Sequence, residues 1–251
     1  MILRGIYSVV LAILITGQAP APQDHFVSEA RNKERVIGLL ALPEIFGEFE
    51  CPPSTPERLT IYASASSLTP PIGSIELLNP PKQQDECESP NVVVRRSGSN
   101  SAEELPSEEK GYENRAAVVY EQSGRWFRIA LASGSAWIER KSADGFESYP
   151  DSLISDSYLT YLRRGWDGMF WTEPGGAAPS SAPAVWRAHL DREIPVRVLA
   201  STSIRGEMWI HLRFETEVCG NDLNGVRTFE GWLPSHRPAQ QTTVWFHSRG
   251  C

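Results

Sequence analysis

Cysteine is scarce in this chain and basic charge is in deficit, and both shortages narrow what it can do. There are 24 Lys and Arg against 31 Asp and Glu, a formal net charge of −7. That balance argues against nucleic acid and anionic membrane surfaces as partners, because each rewards a basic face. No serine lies in a GxSxG elbow and no HExxH occurs, so nucleophilic and zinc-peptidase chemistry have no motif to stand on. Only four cysteines are present, Cys51, Cys87, Cys219 and Cys251, none of them in a CxxC pair. The N-terminal apolar run 5–17 (GIYSVVLAILITG) is shorter than the ~20 residues that span a bilayer.

What stands at the N-terminus has the form of an export signal. Residues 1–4 carry positive charge, 5–17 form an apolar h-region, and Ala19-Pro20-Ala21 is a small-residue cleavage box. We expect 1–21 to be a signal peptide and the mature protein to be periplasmic or secreted, with no stable membrane insertion once it is cut. Either cut leaves a proline just downstream, so an uncleaved anchor is the alternative. The cysteines agree with export. Four allow three pairings, and the sequence-local one joins Cys51 to Cys87 and Cys219 to Cys251. Each bridge would contribute about 3–4 kcal/mol in an oxidising compartment. A metal site from Cys219, Cys251, His236 and His247 lacks tight ligand spacing, so no metal and no cofactor is expected.

The rest of the chain reads as short strands. Residues 36–50 (VIGLLALPEIFGEFE) form an extended apolar segment with Pro43 and Gly47 as punctuation. Residues 58–64 (RLTIYAS) alternate, 74–78 follow the Pro70-Pro71 turn, and 92–94 are β-branched. A long polar excursion, 79–113, holds Glu103, Glu104, Glu108 and Glu109. Strand 116–120 leads into Gly124–Ile138 (GRWFRIALASGSAWI), two aromatic strands with a small-residue turn, and Phe146 with Tyr149 closes the region. In 151–165, Ile154, Tyr158, Tyr161 and Leu162 fall at helical spacing, with Asp151 or Ser152 as cap and Gly165 as stop. The aromatic turn Trp166–Trp171 follows, and 172–183 (TEPGGAAPSSAP) has the composition of a linker. Strand 193–201 (EIPVRVLAS), strand 208–214, a loop at 218–227, strand 228–233 and strand 242–246 complete the chain.

The order of these pieces repeats. Ile61–Ser64 and Val198–Ser201 are strands that end in small residues. Each is followed by a glycine-led aromatic strand, Gly124–Ile129 or Gly206–His211, and then by Ala136-Trp137-Ile138 or Gly231-Trp232-Leu233. In this the chain resembles bacterial SH3-like (SH3b) modules in tandem, over about half of its mature length. The resemblance implies a mainly β protein: two small SH3-like β-barrels joined by a short helix and a Pro/Gly/Ala/Ser linker. Module one would span 36–150, the helix, aromatic turn and linker 151–183, and module two 184–251. It also implies an envelope-binding role, often for peptidoglycan, without catalysis.

Trp126, Phe127, Trp137, Trp209 and Trp232 are of the type that lines a groove for glycan or peptide, but Trp137 and Trp232 have the neighbours of barrel core. Tyr62, Trp166, Phe170 and Trp171 sit in or beside turns and are the ligand-binding candidates. The glutamates of 103–109 read as a solvated charge run, because hydrolysis needs two carboxylates held at a defined separation in a cleft. The loop Asn221–Gly225 lacks calcium-loop spacing and reads as a turn. His189, His211, His236 and His247 cluster late with no partner at fixed spacing. The leading expectation is thus an exported, non-enzymatic protein binding peptidoglycan, a peptide or a glycan. A structural or protein-partner-binding envelope protein is the alternative, and an envelope hydrolase the third.

Peptide mapping under non-reducing conditions is expected to yield Cys51–Cys87 and Cys219–Cys251 peptides; a Cys87–Cys219 peptide would refute the sequence-local pairing.

Overall fold

The run Ala116-Ala117-Val118-Val119-Tyr120 is apolar without alternation, the signature of a strand covered on both faces. A computed structural model describes residues 34–46, 58–78, 91–110, 115–141, 144–154, 159–188, 190–215, 228–238 and 241–247, and buries all five of these side chains. The four cysteines, the export segment, His189 and the Asn221–Gly225 loop lie outside the described residues.

The chain is mainly β. The first strands are β1 (Gly38–Ala41), β2 (Leu59–Tyr62), β3 (Pro71–Leu78), β4 (Asn91–Arg96) and β5 (Ala102–Glu104). They are followed by β6 (Ser107–Glu109), β7 (Arg115–Ser123), β8 (Trp126–Leu131), β9 (Gly134–Glu139) and β10 (Phe146–Ser148). All belong to one sheet ordered β10-β1-β7-β8-β9-β2-β3-β4-β5, with β6 beside β7. The sheet curls into a half-barrel, helped by irregularities at Val119/Glu121 and Ile61/Tyr62 that sharpen the twist. Its concave face is filled by Leu40, Ile61, Ile75, Val94, Ala117, Val119, Phe127 and Ile129. The helix α1 (Pro43–Phe46) adds Ile45 and Phe46 to that core. Pro43, expected only to punctuate an extended segment, opens this helix, a position where its missing N–H costs nothing.

The other half contains β11 (Leu159–Leu162), β12 (Met169–Phe170), β13 (Ser180–Ser181), β14 (Ile194–Ile204), β15 (Glu207–Glu215), β16 (Thr228–Pro234) and β17 (Val244–His247). Five of these form a sheet ordered β16-β15-β14-β11-β17, and β12 pairs with β13. Among the described residues, two further short helices complete the set, α2 (Tyr149–Ile154) and α3 (Ala184–Arg187).

The two sheets share a core. Leu39, Ala116, Val118, Tyr120 and Ala130 point away from the half-barrel interior and pack with Leu162, Ile194, Val196, Ile210, Leu212 and Phe214 of the second sheet. Tyr149 and Leu153 of α2 join them, and the Tyr149 hydroxyl donates to the Val244 carbonyl. Full burial holds that phenol strongly in its neutral form.

The helix expected over 151–165 is corrected. It ends at Ile154, and Leu159–Leu162 is a strand between β14 and β17. Burial there alternates, with Thr160 and Leu162 inward, and two strand partners outweigh a weak local helical period. The 172–183 segment also folds back onto the sheet. Ser180–Ser181 pairs with Met169–Phe170, and the Ala182 N–H donates to the Gly168 carbonyl at 2.8 Å.

Leu39→Ala removes a side chain from the core between the sheets, where relative exposure is 1%. The expected loss is about 2–4 kcal/mol, read as a lower urea midpoint at unchanged m-value. A loss under about 0.5 kcal/mol would show that the interface is not packed as described.

Candidate functional site

A site at the end of the second sheet grows out of one tight turn. Ile204 and Glu207 are the last partners of the β14–β15 ladder, so Arg205 and Gly206 form the two-residue connection. Their φ values are +53° and +81°, the left-handed pair that matches the twist of a hairpin. Glycine adopts this freely, but a residue with a Cβ pays roughly 1–2 kcal/mol, least for Asn or Asp. Arg205 is exposed and makes no ion pair or hydrogen bond among the described residues.

Trp171 comes alongside by backbone pairing. Its N–H donates to the Trp232 carbonyl at 2.9 Å, and the Trp232 N–H returns the bond at 2.7 Å. The Trp171 ring sits edge-on to Trp209 at 5.2 Å and remains half-buried. The turn before it is locked from within. The Trp166 indole donates to the Met169 carbonyl at 2.7 Å and stacks on Phe214 at 5.1 Å, while Asp167 accepts from the Met169 N–H at 2.9 Å. Beyond β16, the Arg237 guanidinium donates to the carbonyls of Arg163 and Arg164 at 2.5 and 2.6 Å, and burial lowers its pKa.

Together these parts enclose an open cleft of about 740 Å³. Its walls include Trp166, Trp171, Arg205, Glu207, His236 and Arg35, the last from the segment that leads into β1. Aromatic surface next to charges of both signs, in a concavity of this size, suits a small amphiphilic ligand.

His236 fastens one end of the cleft. Its Nε2 lies 3.1 Å from the Val36 carbonyl and its Nδ1 2.8 Å from the Ser235 hydroxyl, with the Tyr149 ring 5.3 Å away. Burial, reinforced by the charge of Arg35 and opposed by the bond to Val36, pushes its pKa down to about 4. The imidazole is therefore neutral at pH 7, donating from Nε2 to Val36 and accepting from Ser235 at Nδ1.

Of the four residues expected to touch a ligand, the structure brings two together. Trp166 and Trp171 line the cleft, although Trp166 is 5% exposed and belongs mostly to the core. Phe170 instead covers Gly231, where an added Cβ would come within 2.4 Å of its ring, and packs on Phe229. Tyr62 lies in the first sheet, paired with Trp137 and edge-on to Trp126 at 5.3 Å. Trp126, Phe127, Trp137 and Trp209 are buried, whereas Trp232 is half-buried and stacked on His211 at 4.8 Å. Glu103 faces Arg96 at 3.5 Å and accepts from the Ser133 hydroxyl, an ordinary surface cluster. Sequence reasoning passed over Arg35, Arg205 and Glu207. An Arg-Gly pair between two alternating strands was the available signal for the turn.

His236 should make stability depend on pH. Its folded pKa, about 4, lies below the ordinary value of 6.5, so its contribution is complete above pH 6.5 and is lost as pH falls towards 4. The loss attributable to this group is up to about 3 kcal/mol. Urea unfolding of the wild type and His236→Gln at pH 7 and pH 4.5 is expected to show a smaller pH effect in the variant; equal effects would refute the assignment.

Set against protein-family models, curated proteins and solved structures, the chain gives no significant match to any.

Proposed function

We propose that this chain is an exported, non-catalytic binding protein that holds a cell-envelope component in the cleft beside its second sheet. The component favoured is a peptidoglycan fragment, and the two β-rich halves are read as divergent SH3-like modules. Trp171 is the observation that carries this reading. It is a half-buried indole on the wall of an open cleft, flanked by Arg205 and Glu207, neither of which has an ion-pair partner among the described residues. A sugar ring offers an apolar face to such an indole, and the attached peptide offers carboxylates and amides to the flanking charges.

The modular part of the reading is supported by repetition. β7-β8-β9 and β14-β15-β16 are both three-stranded antiparallel meanders, and two-residue turns join β7 to β8, β8 to β9 and β14 to β15. Each carries a tryptophan in its third strand, Trp137 or Trp232. Export is supported by the apolar N-terminal run and the small-residue cleavage box.

Calorimetric titration with a purified disaccharide-tetrapeptide muropeptide is expected to show binding, and Trp171→Ala is expected to weaken it at least about tenfold, ~1.4 kcal/mol. Thermal melting of the variant controls for folding. Absence of binding by the wild type, together with no retention on insoluble peptidoglycan across a range of salt, would reject the proposal.

A further inference from the structure

The cleft is not electrically neutral once its internal bonds are counted. Asp167 accepts the Met169 N–H, and the Arg237 guanidinium is committed to two backbone carbonyls. His236 is neutral, held between Ser235 and Val36. Three lining charges remain without an ion pair or hydrogen bond among the described residues: Arg35, Arg205 and Glu207. Two are guanidiniums and one is a carboxylate, so the uncommitted charge is positive.

Arg205 is the better placed of the two cations. It stands at the tip of a hairpin, on a backbone held by the β14–β15 ladder on both sides, and its exposed side chain borders the same cleft as Trp171. No partner within the described chain satisfies its planar fork of donors. A carboxylate matches that fork through two parallel hydrogen bonds, a geometry that an ammonium or a neutral amide does not reproduce.

We propose that Arg205 receives a carboxylate of the ligand, so that the cleft selects acidic muropeptides over their amidated forms. This rests on the peptidoglycan-binding reading above and adds to it the residue and the charge that set specificity. Arg35, also on the cleft wall, contributes to the positive field and makes the preference sensitive to salt.

The turn itself supplies a clean test. Arg205→Asn removes the guanidinium and installs a residue that the left-handed position tolerates better, so folding is retained. Full-length wild type and R205N would each be titrated with one muropeptide carrying free carboxylates and with the same muropeptide after carbodiimide amidation. Wild type is expected to prefer the acidic form about tenfold, and R205N to lose that preference by weakening only the acidic form. R205N should melt at the same temperature or higher, while Arg205→Lys should recover part of the preference and not all of it. Equal binding of both forms by the wild type, or a preference unchanged in R205N, would overturn this assignment and leave the binding reading intact. No binding of either form would overturn both.

Discussion

Two neighbouring strands that must be covered on both faces govern this structure. Within β7, Ala117 and Val119 face the half-barrel interior, and Ala116, Val118 and Tyr120 face the second sheet. β1 does the same with Leu40 and Leu39. A strand with no polar face has no stable place at a solvated surface, so the second sheet is required where it is. The polar ties follow the same seam. Glu34 pairs with Arg128, the Ile37 N–H donates to the Val119 carbonyl at 2.8 Å, and Val36 meets His236. The segment leading into β1 is thereby pinned to both sheets.

That constraint decides where recognition can occur. The inner face of the second sheet is spent on the shared core, where the rings of Trp186, Phe214 and Phe229 pack against one another. Apolar side chains used in this way are not available to a ligand. What remains is the end of the sheet, where turns project from a rigid frame, the usual place for binding residues. The cleft therefore combines a rigid aromatic floor with charges carried on Arg35, Arg205 and Glu207.

Much of the strand plan was legible in the sequence because β-strands write their burial into short-range patterns. The hairpin around Gly124–Ile138 was visible as two apolar strands separated by small residues, and the structure pairs Trp126–Leu131 with Gly134–Glu139 in that way. Leu159–Leu162 was misread because Ile154, Tyr158, Tyr161 and Leu162 fit a helical period by chance, and its strand partners are 32 or more residues away. The 172–183 segment looked like a spacer on composition, yet Ser180, Ser181 and Ala182 return to the aromatic turn through backbone bonds that composition does not encode. The site was legible only in its aromatics: Trp166 and Trp171 line the cleft, while Tyr62 and Phe170 are occupied elsewhere.

By itself the sequence determined the mainly β character, most of the strands and the apolar run of β7, since each depends on alternation or its absence within a few residues. Tertiary structure alone decided that β7 and β1 serve two cores, that Leu159–Leu162 is a strand paired on both sides, and that Arg35 and Arg205 border one cavity. Residues 170 positions apart line one cavity only because two sheets close on a common core, and no local pattern records proximity at that range.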